Sequence, residues 1–234
     1  MISKRLIRGS MGIALFAGAV WISAGCTEET IVFRDREVFN PPADSANGFL
    51  GYFDASTKQT ACGNCHADLQ AAWVETAHAS AWEDLEASGS AQDFCRGCHT
   101  VSENGNAVVE AAGWNATQDT AYHDVQCESC HGPGFSHVEN PTVTQPLASI
   151  LADTGATNGC GECHEGTHHP FVEQWKESAH GSVTSFAAGR SGCNECHSGM
   201  GALVAQFGVT SDFLERSDTA ISYTDIVCAV CHDP

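Results

Sequence analysis

Beyond residue 25 this chain of 234 residues has no long apolar run, so nothing after that point reads as a membrane-spanning helix. Positive charge is scarce as well: 10 Lys and Arg stand against 29 Asp and Glu, a net charge of −19. Such a surface repels nucleic acid and anionic lipid head groups, which argues against both as partners, and attracts basic proteins or cations; solubility alone also accounts for an acidic surface. Methionine is rare, and of three only Met200 lies beyond the first 25 residues. No segment alternates convincingly as a β-strand. With 42% hydrophobic residues and 23 glycines, the protein alone would make a thin core.

The N-terminus has a different character. Lys4, Arg5 and Arg8 precede a short apolar stretch from Met11 to Ile22, the pattern of an export signal over residues 1–25. The stretch ends Ser23-Ala24-Gly25-Cys26, a lipoprotein-type cleavage box with Ser23 where such boxes prefer Leu; the alternative is an ordinary secretory signal with an incidental thiol. On the lipoprotein reading Cys26 carries the lipid, and the charge of the remaining chain falls from −19 to −22 as Lys4, Arg5 and Arg8 are lost. Thr27 is not the Asp that retains such proteins at the inner membrane, which favours the outer membrane or the surface, and the expected location is that of an exported, periplasmic or outer-membrane lipoprotein.

What is abundant is cysteine in one pattern. Twelve of 13 cysteines form Cys-x-x-Cys-His motifs: Cys62, Cys65, His66; Cys95, Cys98, His99; Cys127, Cys130, His131; Cys160, Cys163, His164; Cys193, Cys196, His197; and Cys228, Cys231, His232. The two thiols of such a motif add to the vinyl groups of a haem, and the adjacent histidine binds the iron as its proximal ligand. A lone C-x-x-C could be a redox pair or half a zinc site, but six copies, each with its histidine in an exported chain, point to six covalently attached haem c groups. The porphyrins would supply the missing apolar mass.

The first cysteines of successive motifs lie 33, 32, 33, 33 and 35 residues apart, and a longer repeat maps motifs one to three onto four to six with offsets of 98, 98 and 101. Trp73-Val-Glu-Thr-Ala-His78 matches Trp175-Lys-Glu-Ser-Ala-His180, and Tyr122-His-Asp-Val-Gln-Cys127 matches Tyr223-Thr-Asp-Ile-Val-Cys228. The expected layout is a signal over 1–25, a tether and docking arm over 26–59, a triheme module over 60–140, a connector over 141–154, and a second triheme module over 155–234. Because only Asp233-Pro234 follow the last motif, the chain reads as a truncated version of a longer protein; the alternative is a natural end, with the last haem covered by an earlier segment or a neighbouring subunit. The expected fold is mainly α with extensive loops, a multihaem cytochrome c of two triheme modules around stacked haems. A helix is expected over 67–87, where Val74, His78, Trp82 and Leu85 form one stripe, and another over 170–180.

The second axial ligand decides the chemistry of each iron. Met200 can serve at most one haem, and six histidines lie outside the motifs: His78, His123, His137, His168, His169 and His180. Six haems and six spare histidines suggest bis-histidine ligation with low-spin, low-potential iron. His78 and His180 recur at equivalent repeat positions, whereas His123 is replaced by Thr224 in the second half, and the neighbours His168 and His169 should diverge. Trp73, Trp175, Trp82 and Trp114 read as packing residues.

The W-x-x-[ST]-x-H segments, and Val125-Gln-Cys127-Glu-Ser-Cys130-His131-Gly132-Pro133-Gly134 followed by His137, resemble the tetrahaem cytochrome of ammonia-oxidising bacteria and its multihaem relatives, in patches over residues 60–232. The resemblance implies a mainly helical fold, closely stacked haem pairs and electron transfer; haem number and the duplicated layout depart from it. The reading is thus an electron carrier, whose partners would be redox proteins such as other cytochromes and a membrane reached through a lipid anchor, with a homo-oligomer, filament or complex subunit as further forms. The alternative is a multihaem oxidoreductase of nitrogen compounds with one open iron, although no C-x-x-C-K motif advertises such a site.

Overall fold

The computed structural model describes residues 40–41, 46–148, 159–166, 168–183, 185–207 and 225–232. All of them belong to one unit spanning Phe39–Pro234. The signal region, Cys26, Thr224 and residues 149–154 of the connector lie outside the described residues.

The fold is mainly helical, with short helices joined by long loops. Ten α-helices are described: α1 Ala67–Trp73, α2 Ala81–Ala87, α3 Arg96–His99, α4 Gly113–Thr117, α5 Cys127–His131, α6 Phe135–Glu139, α7 Phe171–Glu177, α8 Ser185–Ala188, α9 Asn194–His197 and α10 Gly199–Phe207. Two short antiparallel strands, β1 Tyr52–Asp54 and β2 Gln59–Thr60, form a hairpin that no alternation in the sequence announces. Among the described residues no helix is long and apolar enough to cross a membrane.

Each motif sits on a single helical turn. In the first, fourth, fifth and sixth motifs the histidine N–H reaches back to the carbonyl of the first cysteine, at 2.9 Å in every case. This i to i−4 bond places both sulfurs and the imidazole on one side of the turn, as attachment to a single porphyrin requires.

The helix expected over 67–87 is broken. Ala67–Trp73 are good helix formers with Asp68 in the first turn, but Thr76 is extended at φ −92° and ψ 159°, and α2 starts only at Ala81. Tertiary partners impose the break. The Val125 N–H bonds to the His78 carbonyl at 3.0 Å, and Lys58 Nζ donates to the Ala79 carbonyl at 2.6 Å. The Asp124 carboxylate then accepts from the Trp82 and Glu83 amides at 2.8 and 3.2 Å, capping α2 from outside its own sequence. These contacts outweigh the continuous stripe: Trp82 is buried while Val74 stays exposed.

The apolar core is small. One cluster joins Ala46, Phe49, Val101, Ala112 and Tyr122, and another joins Ala148, Leu203, Val227 and Ala229, with Cys130 and Met200 packed on it. Large apolar side chains beside the motifs remain open, Phe94 at 85% and Leu69 at 67% exposure. The described part of the 26–59 segment, from Ala46 onward, packs inward: Phe49 and Leu50 are buried, and their neighbourhood is fastened by Glu128. That carboxylate, inside the third motif, accepts from the Leu50, Gly51 and Gly134 amides at 2.8, 2.7 and 2.8 Å. Gly51 is required here, since it has φ +65° and a Cβ would lie 2.6 Å from the Ala121 carbonyl oxygen.

Glu128→Ala leaves those three amides without an acceptor, at about 1–3 kcal/mol for each buried unsatisfied donor. The variant should release residues 46–60 to limited proteolysis while the rest of the chain stays resistant; unchanged protection of that segment would refute the assignment.

Candidate functional site: the motif histidines and their partners

All twelve histidines are described, and six of them form three motif-to-remote pairs, with His164 also 5.7 Å from His169, edge to face. The His66 ring lies 6.2 Å from that of His137, at an interplanar angle of 23°. His78 lies 6.0 Å from His164, and His99 lies 6.4 Å from His169. Each pair joins one motif histidine to one histidine outside the motifs. Two imidazoles bound to opposite faces of one iron through bonds of about 2.0 Å have ring centroids about 6 Å apart. The residues present therefore fit an iron porphyrin between the members of each pair.

The outer hydrogen bonds agree with that fit. His99 Nδ1 bonds to the Ala81 carbonyl at 2.8 Å, His131 Nδ1 to the Pro146 carbonyl at 2.7 Å, and His137 Nδ1 to the Thr144 carbonyl at 2.6 Å. A backbone acceptor on Nδ1 fixes the tautomer, turns Nε2 toward the metal and raises its basicity. Burial pushes His78, His131 and His164 below the usual imidazole range, which keeps them in the neutral, metal-binding form.

The remaining candidates lie elsewhere. His168 and His169 do not diverge to separate motifs: their ligand atoms and that of His99 all fall within 4.8 Å of one another. His123 sits in an aromatic box, its ring 5.3 Å from Trp82 and 4.9 Å from Trp114, with Arg96 Nη1 3.5 Å from its Nε2. The Arg96 guanidinium lies over both indoles, 4.0 and 4.2 Å from their centroids. His180 is exposed, and among the described residues no motif histidine stacks on it.

The sulfurs of different motifs also meet. Cys62 lies beside Cys127, Cys98 beside Cys163, and Cys160 beside Cys228. The Cys160 contact draws the Cys228 thiol down to about 7, and the Cys163 contact does the same for Cys98. None of the twelve motif cysteines is in a disulfide.

Sequence reasoning passed over the two variable positions of each motif, and three of them carry tertiary structure. Arg96 fills the tryptophan box, Glu128 holds Leu50, Gly51 and Gly134, and Glu162 accepts from the Gly105 amide. A charged residue between the two cysteines of a motif was the available signal. Trp73 and Trp175, expected to pack, also donate: their indole nitrogens bond to the Val125 and Ile226 carbonyls at 3.0 and 2.7 Å.

Helical turns carrying Cys-x-x-Cys-His, set against imidazoles from remote segments, define a multihaem c-type cytochrome whose cofactor is haem c. Its relationship is to the tetrahaem cytochrome of ammonia-oxidising bacteria. Residues 61–132, which hold the first three motifs, match the family model of cytochrome c554 and c-prime. Cytochrome c-554 of Nitrosomonas europaea is 32% identical over 134 aligned positions, which cover 44% of this chain and 54% of that protein. The chain thus spans about half the length of this curated relative. No solved structure matches.

Trp73→Phe and Trp175→Phe should each lower stability by about 1 kcal/mol, the net worth of one hydrogen bond. Denaturant unfolding of the haem-loaded protein measures this, and unchanged midpoints in both variants would contradict the bonds described.

Proposed function

We propose that this chain is an electron conduit: six c-type haems, three of them closed by two histidines, that pass electrons between redox proteins at the periplasmic or outer-membrane face. The observation that carries the reading is the trio of imidazole pairs His66–His137, His78–His164 and His99–His169, spaced 6.2, 6.0 and 6.4 Å apart. An iron held on both faces by imidazole has no position for a substrate, so it exchanges electrons and little else. When bound, the haem supplies a one-electron couple; the protein supplies position and surroundings.

The sulfur contacts give the conduit an order. Cys62 against Cys127 sets the first haem beside the third, Cys98 against Cys163 sets the second beside the fourth, and Cys160 against Cys228 sets the fourth beside the sixth. Cys130 lies close enough to Cys160 and Cys163 to act on both, which joins the third haem to the fourth. The fourth haem is then the hub. The pairing of first with third motif in one half recurs as fourth with sixth in the other, which supports two triheme modules. Exposed Phe94, Leu69 and Phe186 beside the motifs gain a cover once porphyrin fills the adjacent space.

A lipid on Cys26 would hold the conduit at a membrane, and the export signal favours a periplasmic or outer-membrane site. The oxidoreductase alternative draws on one observation: among the twelve histidines, none stacks on His131, His197 or His232. An iron left open there could bind a small nitrogen compound.

Spin-state spectroscopy of the ferric protein tests the conduit. His137→Ala, His78→Ala and His169→Ala should each turn one low-spin haem high-spin, leaving the others unchanged. Should the three variants keep the wild-type spectrum, the pairing is wrong. Binding of nitrite or hydroxylamine to wild-type iron, with turnover, would favour the oxidoreductase.

A further inference from the structure

Each haem motif has two variable positions, and across the six motifs Arg96 is the one basic residue among them. Glu128, Glu162 and Glu195 occupy such positions in the third, fourth and fifth motifs; the first and sixth hold neutral residues. Attachment through both cysteines keeps these positions beside the porphyrin. A charge there acts on the iron at short range: a cation favours the ferrous state and an anion the ferric state.

Arg96 is also fixed in place. Its guanidinium lies 4.0 Å from the Trp82 centroid and 4.2 Å from that of Trp114, with His123 Nε2 3.5 Å from Nη1. The walls of this box are fastened to the second motif. Trp82 follows Ala81, whose carbonyl bonds to His99 Nδ1 at 2.8 Å. Thr100 follows His99, pairs with His123 across an antiparallel bridge, and donates through Oγ1 to the Arg96 carbonyl at 2.6 Å. The Trp114 N–H bonds to the Val101 carbonyl at 2.9 Å. Asp93, the acidic partner of Arg96 at 3.7 Å, is fully exposed, so water screens it, whereas the Arg96 side chain is 23% exposed. Asp124, beside His123 in the chain, accepts from the Trp82 and Glu83 amides and the Tyr52 hydroxyl. The sequence of the second half provides no such box: the repeat puts Asn194 at the place of Arg96, Thr184 at that of Trp82 and Thr224 at that of His123.

We propose that Arg96 makes the second haem the highest in potential of the three imidazole-paired haems, the one on which electrons collect. The proposal rests on the haem-ligation reading above. All three irons have the same pair of ligands, so charge and hydrogen bonding decide their order. The first and second each have one Nδ1 bonded to a backbone carbonyl, at His137 and His99, which leaves Arg96 set against the neutral Asn64. The fourth has Glu162 instead. His164 Nδ1 has no partner among the described residues, which by itself raises the fourth. A difference of two full charges outweighs that one neutral hydrogen bond. The contrast falls across the contact of Cys98 with Cys163, where the second haem adjoins the fourth. One electron passes there from the ferrous iron at His164 to the ferric iron at His99, and no bond or proton moves.

The test is a reductive titration of the full haem-loaded protein, followed through its ferric low-spin signals at low temperature. The signal lost in His169→Ala marks the second haem, and those lost in His137→Ala and His78→Ala mark the first and the fourth. In the wild type the second haem's signal should disappear first of the three. In Arg96→Gln it should lose that lead, the ratio of reduced second to reduced first haem falling about tenfold. Arg96→Lys should retain part of the lead, and Glu162→Gln should advance the fourth haem while leaving the second ahead of the first. A wild type in which the first or fourth signal goes before the second would overturn the proposal. So would an unchanged order in Arg96→Gln, or an equal loss in Arg96→Lys and Arg96→Gln, which would assign Arg96 to packing alone. If each histidine variant removes one signal while such a result appears, only the charge assignment falls. If they do not, the ligation reading falls and takes this proposal with it.

Discussion

Imidazole reaching across the fold to a second imidazole is the contact on which this structure turns. The pure protein core is slight, two clusters of small and medium side chains, and it leaves phenylalanines beside the motifs in the open. Histidine pairs at about 6 Å bring together segments that no continuous core would hold, provided metal sits between them. An iron bound between such a pair would tie a motif to a distant stretch of chain as a disulfide would, and so couple folding to haem attachment.

The polar framework around those pairs serves to aim them. The broken helix between Trp73 and Ala81 puts His78 on a short irregular turn, and Lys58, Asp124 and Val125 hold the turn in place. Glu128 is buried entirely, and burial pushes its carboxyl up to about 7 against the pull of three backbone amides. A buried carboxylate surrounded by donors is costly to leave unpaired, so it fixes the 46–51 segment against the third motif. Arg96 does similar work with two indoles in place of amides. In each case the motif's variable residues couple the porphyrin site to the surrounding chain.

Much of the site could be read from residues alone, and the reason is locality. A Cys-x-x-Cys-His motif spans five positions, and one helical turn gives it its geometry whatever surrounds it. The internal repeat was legible because its matched residues, Trp73 with Trp175 and His78 with His180, keep their identities. Which imidazole meets which was not legible, since His66 and His137, or His78 and His164, approach through tertiary folding without any local pattern. The break at Thr76 was hidden for the same reason: its causes, Asp124 and Val125, lie far along the chain. The adjacent His168 and His169 were expected to diverge, but a loop without helical or strand regularity lets both turn toward His99.

The account stands on covalent haem at every motif. A haem-per-chain determination on the denatured, intact protein, combined with metal analysis, tests it most directly. Six thioether-bound haems and six irons are predicted. Zinc in their place, or cysteines paired as disulfides, would contradict the structure's organising principle.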